Sequence, residues 1–167
     1  HDPHGTVAGG QDNYAAGESA AIGGGYSNYT SGSYATIAGG NDNTADGSHA
    51  AIGGGYSNSA SNTYATIAGG NDNTASGNQS AVGGGVTNTA SGANATVAGG
   101  YHNAAGGNAA TVPGGADNVA SGGYSYDDCG EDCSSANIRA LAQASGVHQF
   151  AATYASNSEG PELGALA

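Results

Sequence analysis

The sequence predicts an all-β protein: a parallel β-solenoid (β-roll) of eight 15-residue coils, followed by a small non-repetitive C-terminal cap. Three observations carry this. A β-branched residue recurs every fifteen positions without insertion or deletion, at Val7, Ile22, Ile37, Ile52, Ile67, Val82, Val97 and Val112. Two glycines follow each, as Gly39 and Gly40 follow Ile37. An asparagine stands three residues beyond the second glycine, at Asn13, Asn28, Asn43, Asn58, Asn73, Asn88, Asn103 and Asn118. A unit this short is too small for a pair of helices, whereas two short strands joined by tight bends fill it.

Within each unit, Ala-Thr-Ile-Ala or Ala-Ala-Ile-Gly is the first strand, since small and β-branched residues suit a pleated, half-buried surface. Gly-Gly-x-x-Asn is the bend, and Asn-x-Ala-x-Gly-x-x returns and turns again. Alanine stands two after the asparagine in every unit but one, where Thr30 replaces it. Glycine closes the unit at Gly17, Gly32, Gly47, Gly77, Gly92, Gly107 and Gly122, with Asn62 in the remaining copy. Because Asn is the other residue that tolerates positive φ, this column is expected to hold left-handed backbone. Copies stacked about 4.8 Å apart place Asn over Asn, so the amides are expected to hold the bend and bond along the rod as a ladder. A second period of thirty is superposed: Ala8, Gly23, Ala38, Gly53 alternate, and Asp12, Asp42 and Asp72 alternate with Ser27 and Ser57. Repulsion between stacked carboxylates and duplication of a two-coil unit both account for it.

Composition narrows function. The 167 residues include 33 glycines, 13 Asp plus Glu and a single cation, Arg139, for a formal charge of −12. Such a surface repels phosphate, which argues against nucleic acid and anionic membranes as partners. No run of about 18 apolar residues exists, so no membrane span is expected. A chain opening at His1, without a signal-peptide pattern, is expected of a mature secreted product, extracellular or at the cell surface. The absence of lysine excludes a Gly-x-x-x-x-Gly-Lys phosphate loop. His1, His4, His49, His102 and His148 fall at unrelated positions, so no nucleophilic triad, no enzyme and no cofactor are expected. The column Asp12, Asp42, Asp72, Asp117 is a candidate for Ca²⁺, but the nonapeptide of calcium-binding β-rolls is missing, and a solvated acidic face is expected instead.

Two parts are expected: a repeat domain over 1–126 and a cap or assembly segment over 127–167. Asp127 stands in the slot that had held Val or Ile, and a solenoid end needs covering. Ser134 or Ser135 is expected to cap a short helix in which Ile138, Leu141 and Ala142 share a face, ended by Gly146. Val147, Phe150 and Tyr154 continue as a second apolar segment. Ile138, Leu141, Val147, Phe150 and Tyr154 are thus the candidate assembly residues. Cys129 and Cys133 lie in the acidic run Asp127 to Cys133; a disulfide, local or between subunits, is expected of a secreted chain, and Zn²⁺ or Ca²⁺ is the alternative.

Each coil offers one Val or Ile and two or three Ala to bury, which is little, and oligomerisation is the expected remedy. The run Ala-Thr-Ile-Ala-Gly-Gly-Asn-Asp-Asn-Thr-Ala-Asp-Gly at 35–47 resembles the head repeats of trimeric autotransporter adhesins, the family of the Yersinia adhesin, and the resemblance spans about residues 5–126. It implies a left-handed parallel β-roll and a homotrimer whose chains bury small apolar residues against one another. The neck, coiled-coil stalk and membrane barrel of that family have no counterpart within 127–167.

The function expected is structural and non-enzymatic: self-association, as a trimer or end to end, into an extracellular fibre or adhesive surface structure. Tyr26, Tyr29, Tyr34, Tyr56, Tyr64 and Tyr101 would decorate its shaft and stack on neighbouring fibres, carbohydrate or matrix. The alternatives are a discrete trimeric adhesin head with a host or matrix ligand, and an ice-binding solenoid. The second uses the array Thr6, Thr36, Thr66, Thr96, Thr111, which Ala21, Ala51 and Ala81 interrupt. Asn28-Tyr-Thr, Asn78-Gln-Ser and Asn94-Ala-Thr match the N-glycosylation pattern, one that arises often by chance in an Asn- and Thr-rich chain.

Overall fold

Each coil contributes two very short strands: β1 (Thr6–Val7) and β2 (Tyr14–Ala15) in the first, β3 (Ala21–Ile22) and β4 (Tyr29–Thr30) in the second. The pattern continues in fifteen-residue steps to β15 (Thr111–Val112) and β16 (Val119–Ala120). The structure, a computed structural model, describes residues 5–126 and two further strands, β17 (Ala140–Ala144) and β18 (Val147–Ala151). The odd strands β1 to β15 stack in chain order as one eight-stranded parallel sheet, and the even strands β2 to β16 as another. Register is invariant at fifteen: Ile22 lies opposite Ile37, and Ala45 opposite Ala60. This is the parallel β-solenoid that the repeat predicts. A third line of single bridges runs along one corner from Gln11 through Tyr26, Asn41 and Tyr56 to Ala116.

Four inward columns form the core. Ile22 to Val112 make one, Ala20 to Ala110 a second, the residues from Ala15 to Ala120 a third, and Asn28 to Asn118 the fourth, nearly all fully buried. One chain therefore closes its own interior. Asparagine supplies one of the four walls of this interior, which is tolerable only because its amide is satisfied. Val7 departs from its column: it is 43% exposed, because no coil lies beneath it among the described residues.

Left-handed backbone sits elsewhere than in the Gly17 to Gly122 column. Besides the glycine column from Gly10 to Gly115, with φ between 85° and 98°, two corners per coil carry it on residues that are not glycine: the column from Asp12 to Asp117 and the column from Ser19 to Tyr124, with φ between 52° and 61°. An L residue strains there, and a hydrogen bond offsets it. The corner N–H turns back to the preceding coil, Ser27 N–H donating to Gln11 O at 3.0 Å and Tyr34 N–H to Glu18 O at 2.8 Å. Strand amides point the other way, as Tyr29 N–H of β4 does toward Asn43 O at 2.9 Å.

Glycine closes the unit for a different reason, close approach. A Cβ at Gly32 would land on the carbonyl of Gly47 in the next coil. Asn62, exposed and without positive φ, occupies this column at a local cost. The bond that Gly47 N–H makes to Ala60 O at 3.2 Å has no counterpart at Asn62, whose side-chain Nδ2 instead donates to Ser76 O at 3.0 Å. Close approach also bears on the thirty-residue period: a Cβ at Gly53 would run into the carbonyl of Ala68, so alternate coils admit only glycine there.

Beyond the solenoid, the segment expected to be helical is a strand. β17 pairs with β18 antiparallel, Leu141 opposite Phe150 and Ala144 opposite Val147. An isolated helix of about ten residues is marginal in water, and a neighbouring strand satisfies the same backbone groups. Ile138, Tyr154, Cys129 and Cys133 lie outside the described residues, as do His1, His4 and His148's side chain.

Candidate functional site

The asparagine column is the most heavily bonded feature of the rod. Asn58 Nδ2 donates to Asn43 Oδ1 at 3.0 Å, to Gly54 O at 3.0 Å in its own coil, and to Gly70 O at 3.0 Å in the next. Asn58 Oδ1 in turn accepts from Asn73 N–H and Asn73 Nδ2, at 3.0 and 3.1 Å. Each side chain thus ties three consecutive coils together, and its role is structural.

Among the described residues, the ladder runs from Asn13 to Asn118. Asn13 is only half-buried, with no preceding amide to accept its N–H among the described residues. Asn118 is buried, and its Oδ1 has no partner among the described residues. The strands β1 and β2 are the outer members of their sheets at one end. At the other end, Thr111 of β15 is bridged by Tyr126, and Pro113 removes a donor at the position where Ala98 N–H reaches Val112 O at 2.9 Å. Proline at an edge withholds a ladder bond and discourages pairing there.

The tyrosines named from the sequence are all exposed, but the structure sorts them. Tyr34 and Tyr64 sandwich His49, with ring centroids 5.0 and 4.7 Å apart. Tyr29 stacks on Tyr14 at 5.8 Å. Tyr26 and Tyr56 stand two coils apart with Asn41 between them and stack on no other ring among the described residues. The His49 sandwich was not foreseen; the spacing of fifteen between Tyr34, His49 and Tyr64 was the available signal.

Polar contacts stay dispersed. Ser48 Oγ meets His49 Nδ1 at 3.0 Å, and His102 Nδ1 meets Asp117 Oδ1 at 2.7 Å, on different coils and different corners. Both partners of the second pair are well exposed, so it contributes little. Asp12, Asp42 and Asp72 lie on the solvent side of their corner, and among the described residues no three His, Cys, Asp or Glu side chains converge on a metal position. The threonine array is irregular as read: Thr36 and Thr66 are exposed, while Thr96 and Thr111 are half-buried. No helix among the described residues is long and apolar enough to cross a membrane. No protein-family model matches this chain, and no curated protein matches it.

Proposed function

We propose that this chain is a non-enzymatic structural protein of the extracellular space or cell surface, which associates with copies of itself, as a trimer, end to end, or both, into a fibre or adhesive layer. The observation that supports this is the uniformity of the coil-on-coil contact, which keeps one register and one asparagine pairing from coil to coil. A rod built by repeating one coil-on-coil contact carries, at its termini, the two halves of that same contact. Among the described residues, Val7 and the strands β1 and β2 present one half of that contact. The strongly acidic composition supports a role outside contact with nucleic acid or anionic lipid.

Negative-stain electron microscopy at two concentrations, with light scattering for the mass of the smallest species, tests this. Filaments that lengthen with concentration are the expected result. Discrete trimers would favour an adhesin head with a separate ligand, and a discrete monomer at all concentrations would overturn the proposal.

A further inference from the structure

The three glycosylation patterns are not equivalent once folded. Asn28 is 0% exposed, and its Nδ2 donates to Asn13 Oδ1, Gly24 O and Gly40 O at 3.1, 3.0 and 2.9 Å. A sugar on that nitrogen would remove ladder bonds and occupy the space of the next coil, so a folded rod has none there. Asn78 and Asn94 are exposed, and no neighbour among the described residues engages either side-chain amide. They are neighbours on adjoining coils, Asn94 N–H donating to Asn78 O at 2.8 Å.

A second observation bears on Asn78, although Thr30 of the Asn28 pattern shares it, being likewise buried with an unpartnered Oγ1 in a column otherwise of alanine. Exposure of the asparagine is what separates the two sites. The hydroxyl that the Asn78 pattern requires belongs to Ser80, in an inward column that is otherwise alanine from Ala20 to Ala110. Ser80 is 0% exposed, and its Oγ has no hydrogen-bond partner. A buried, unsatisfied hydroxyl costs stability, so packing supplies no reason for serine over alanine here. Before the coil closes, the same hydroxyl completes the acceptor pattern with an asparagine that remains on the surface afterwards.

We propose that Asn78 is an N-linked glycan attachment site and that Asn94 is a second acceptor beside it. The inference rests on the extracellular reading above, since the co-reactant, a polyprenyl-diphosphate-linked oligosaccharide, is met during export. Asn78 Nδ2 forms a bond to C1 of the first sugar. The bond from C1 to the diphosphate oxygen breaks, the polyprenyl diphosphate leaves with its electron pair, and one amide proton passes to solvent. Modification must precede closure of the coil, because the folded chain hides Ser80.

The test is to secrete the full chain, through an added leader, from a host whose export pathway N-glycosylates, and to map glycopeptides by mass spectrometry. Glycan on Asn78 and none on Asn28 in the folded fraction is expected. Asn78→Gln and Ser80→Ala should each remove the Asn78 glycan, whereas a merely structural Ser80 would leave it in place. An unmodified Asn78, or glycan on Asn28 in folded rods, would overturn the proposal. Because the leader enforces export, this outcome is independent of filament formation, which microscopy of the same preparations reads separately.

Discussion

Asn43 Oδ1 accepts two hydrogen bonds from Asn58, one from the backbone N–H and one from Nδ2, both at 3.0 Å, although the residues are fifteen positions apart. This pairing, repeated along the rod, replaces apolar packing on one wall of the core. Asn58→Ala should destabilise the protein by about 3–5 kcal/mol, because it deletes three donated bonds and leaves Asn73 N–H buried without its acceptor. Denaturant unfolding measures it; a loss below about 1 kcal/mol would show the ladder to be incidental.

Glycines that look alike in the repeat should respond oppositely. Gly32→Ala puts a methyl group against the backbone of Gly47 and is expected to cost more than about 3 kcal/mol or to prevent folding. A Cβ at Gly39 meets nothing, and its backbone is not left-handed, so Gly39→Ala should stabilise by about 0.4–1 kcal/mol through the unfolded chain. Thermal melts of the two variants compare them directly.

Two buried hydroxyls lack partners, Thr30 Oγ1 and Ser80 Oγ. Thr30→Val keeps the shape, and Ser80→Ala restores the residue of its column. Each should raise stability by about 1 kcal/mol in protein made without glycosylation. Unchanged or lowered midpoints would mean that these hydroxyls are satisfied in solution.

Assembly should be separable from folding at the first coil. Val7 is exposed at the open edge, so Val7→Lys is expected to change stability by less than about 1 kcal/mol while abolishing filaments, because a charge on an edge blocks pairing. Filaments of ordinary length from this variant would place the junction elsewhere.

Much of the architecture was readable from a uniform period. With no insertion across eight copies, stacking the sequence on itself sets the register, the inward Ile and Val column and the alignment of Asn13 to Asn118. The tail reads as helix because Ala140 to Ala144 is rich in good helix formers, and pairing with β18 overrides that local preference. The corner strain was misplaced as well. Tyr34 and Thr87 are poor left-handed formers, and only the backward bond from their N–H groups reveals why they adopt it.

The sequence alone determined how many coils there are, which residues stack on which, and which side of each strand faces inward, because those follow from period and alternation. Tertiary structure decided what each repeated residue is for. Whether Gly32 serves φ or space, whether Asn28 can accept a sugar, and whether one chain can close a core this poor in apolar volume all depend on the distance between neighbouring coils. That distance is set by the hydrogen bonds between coils and appears nowhere in a single repeat.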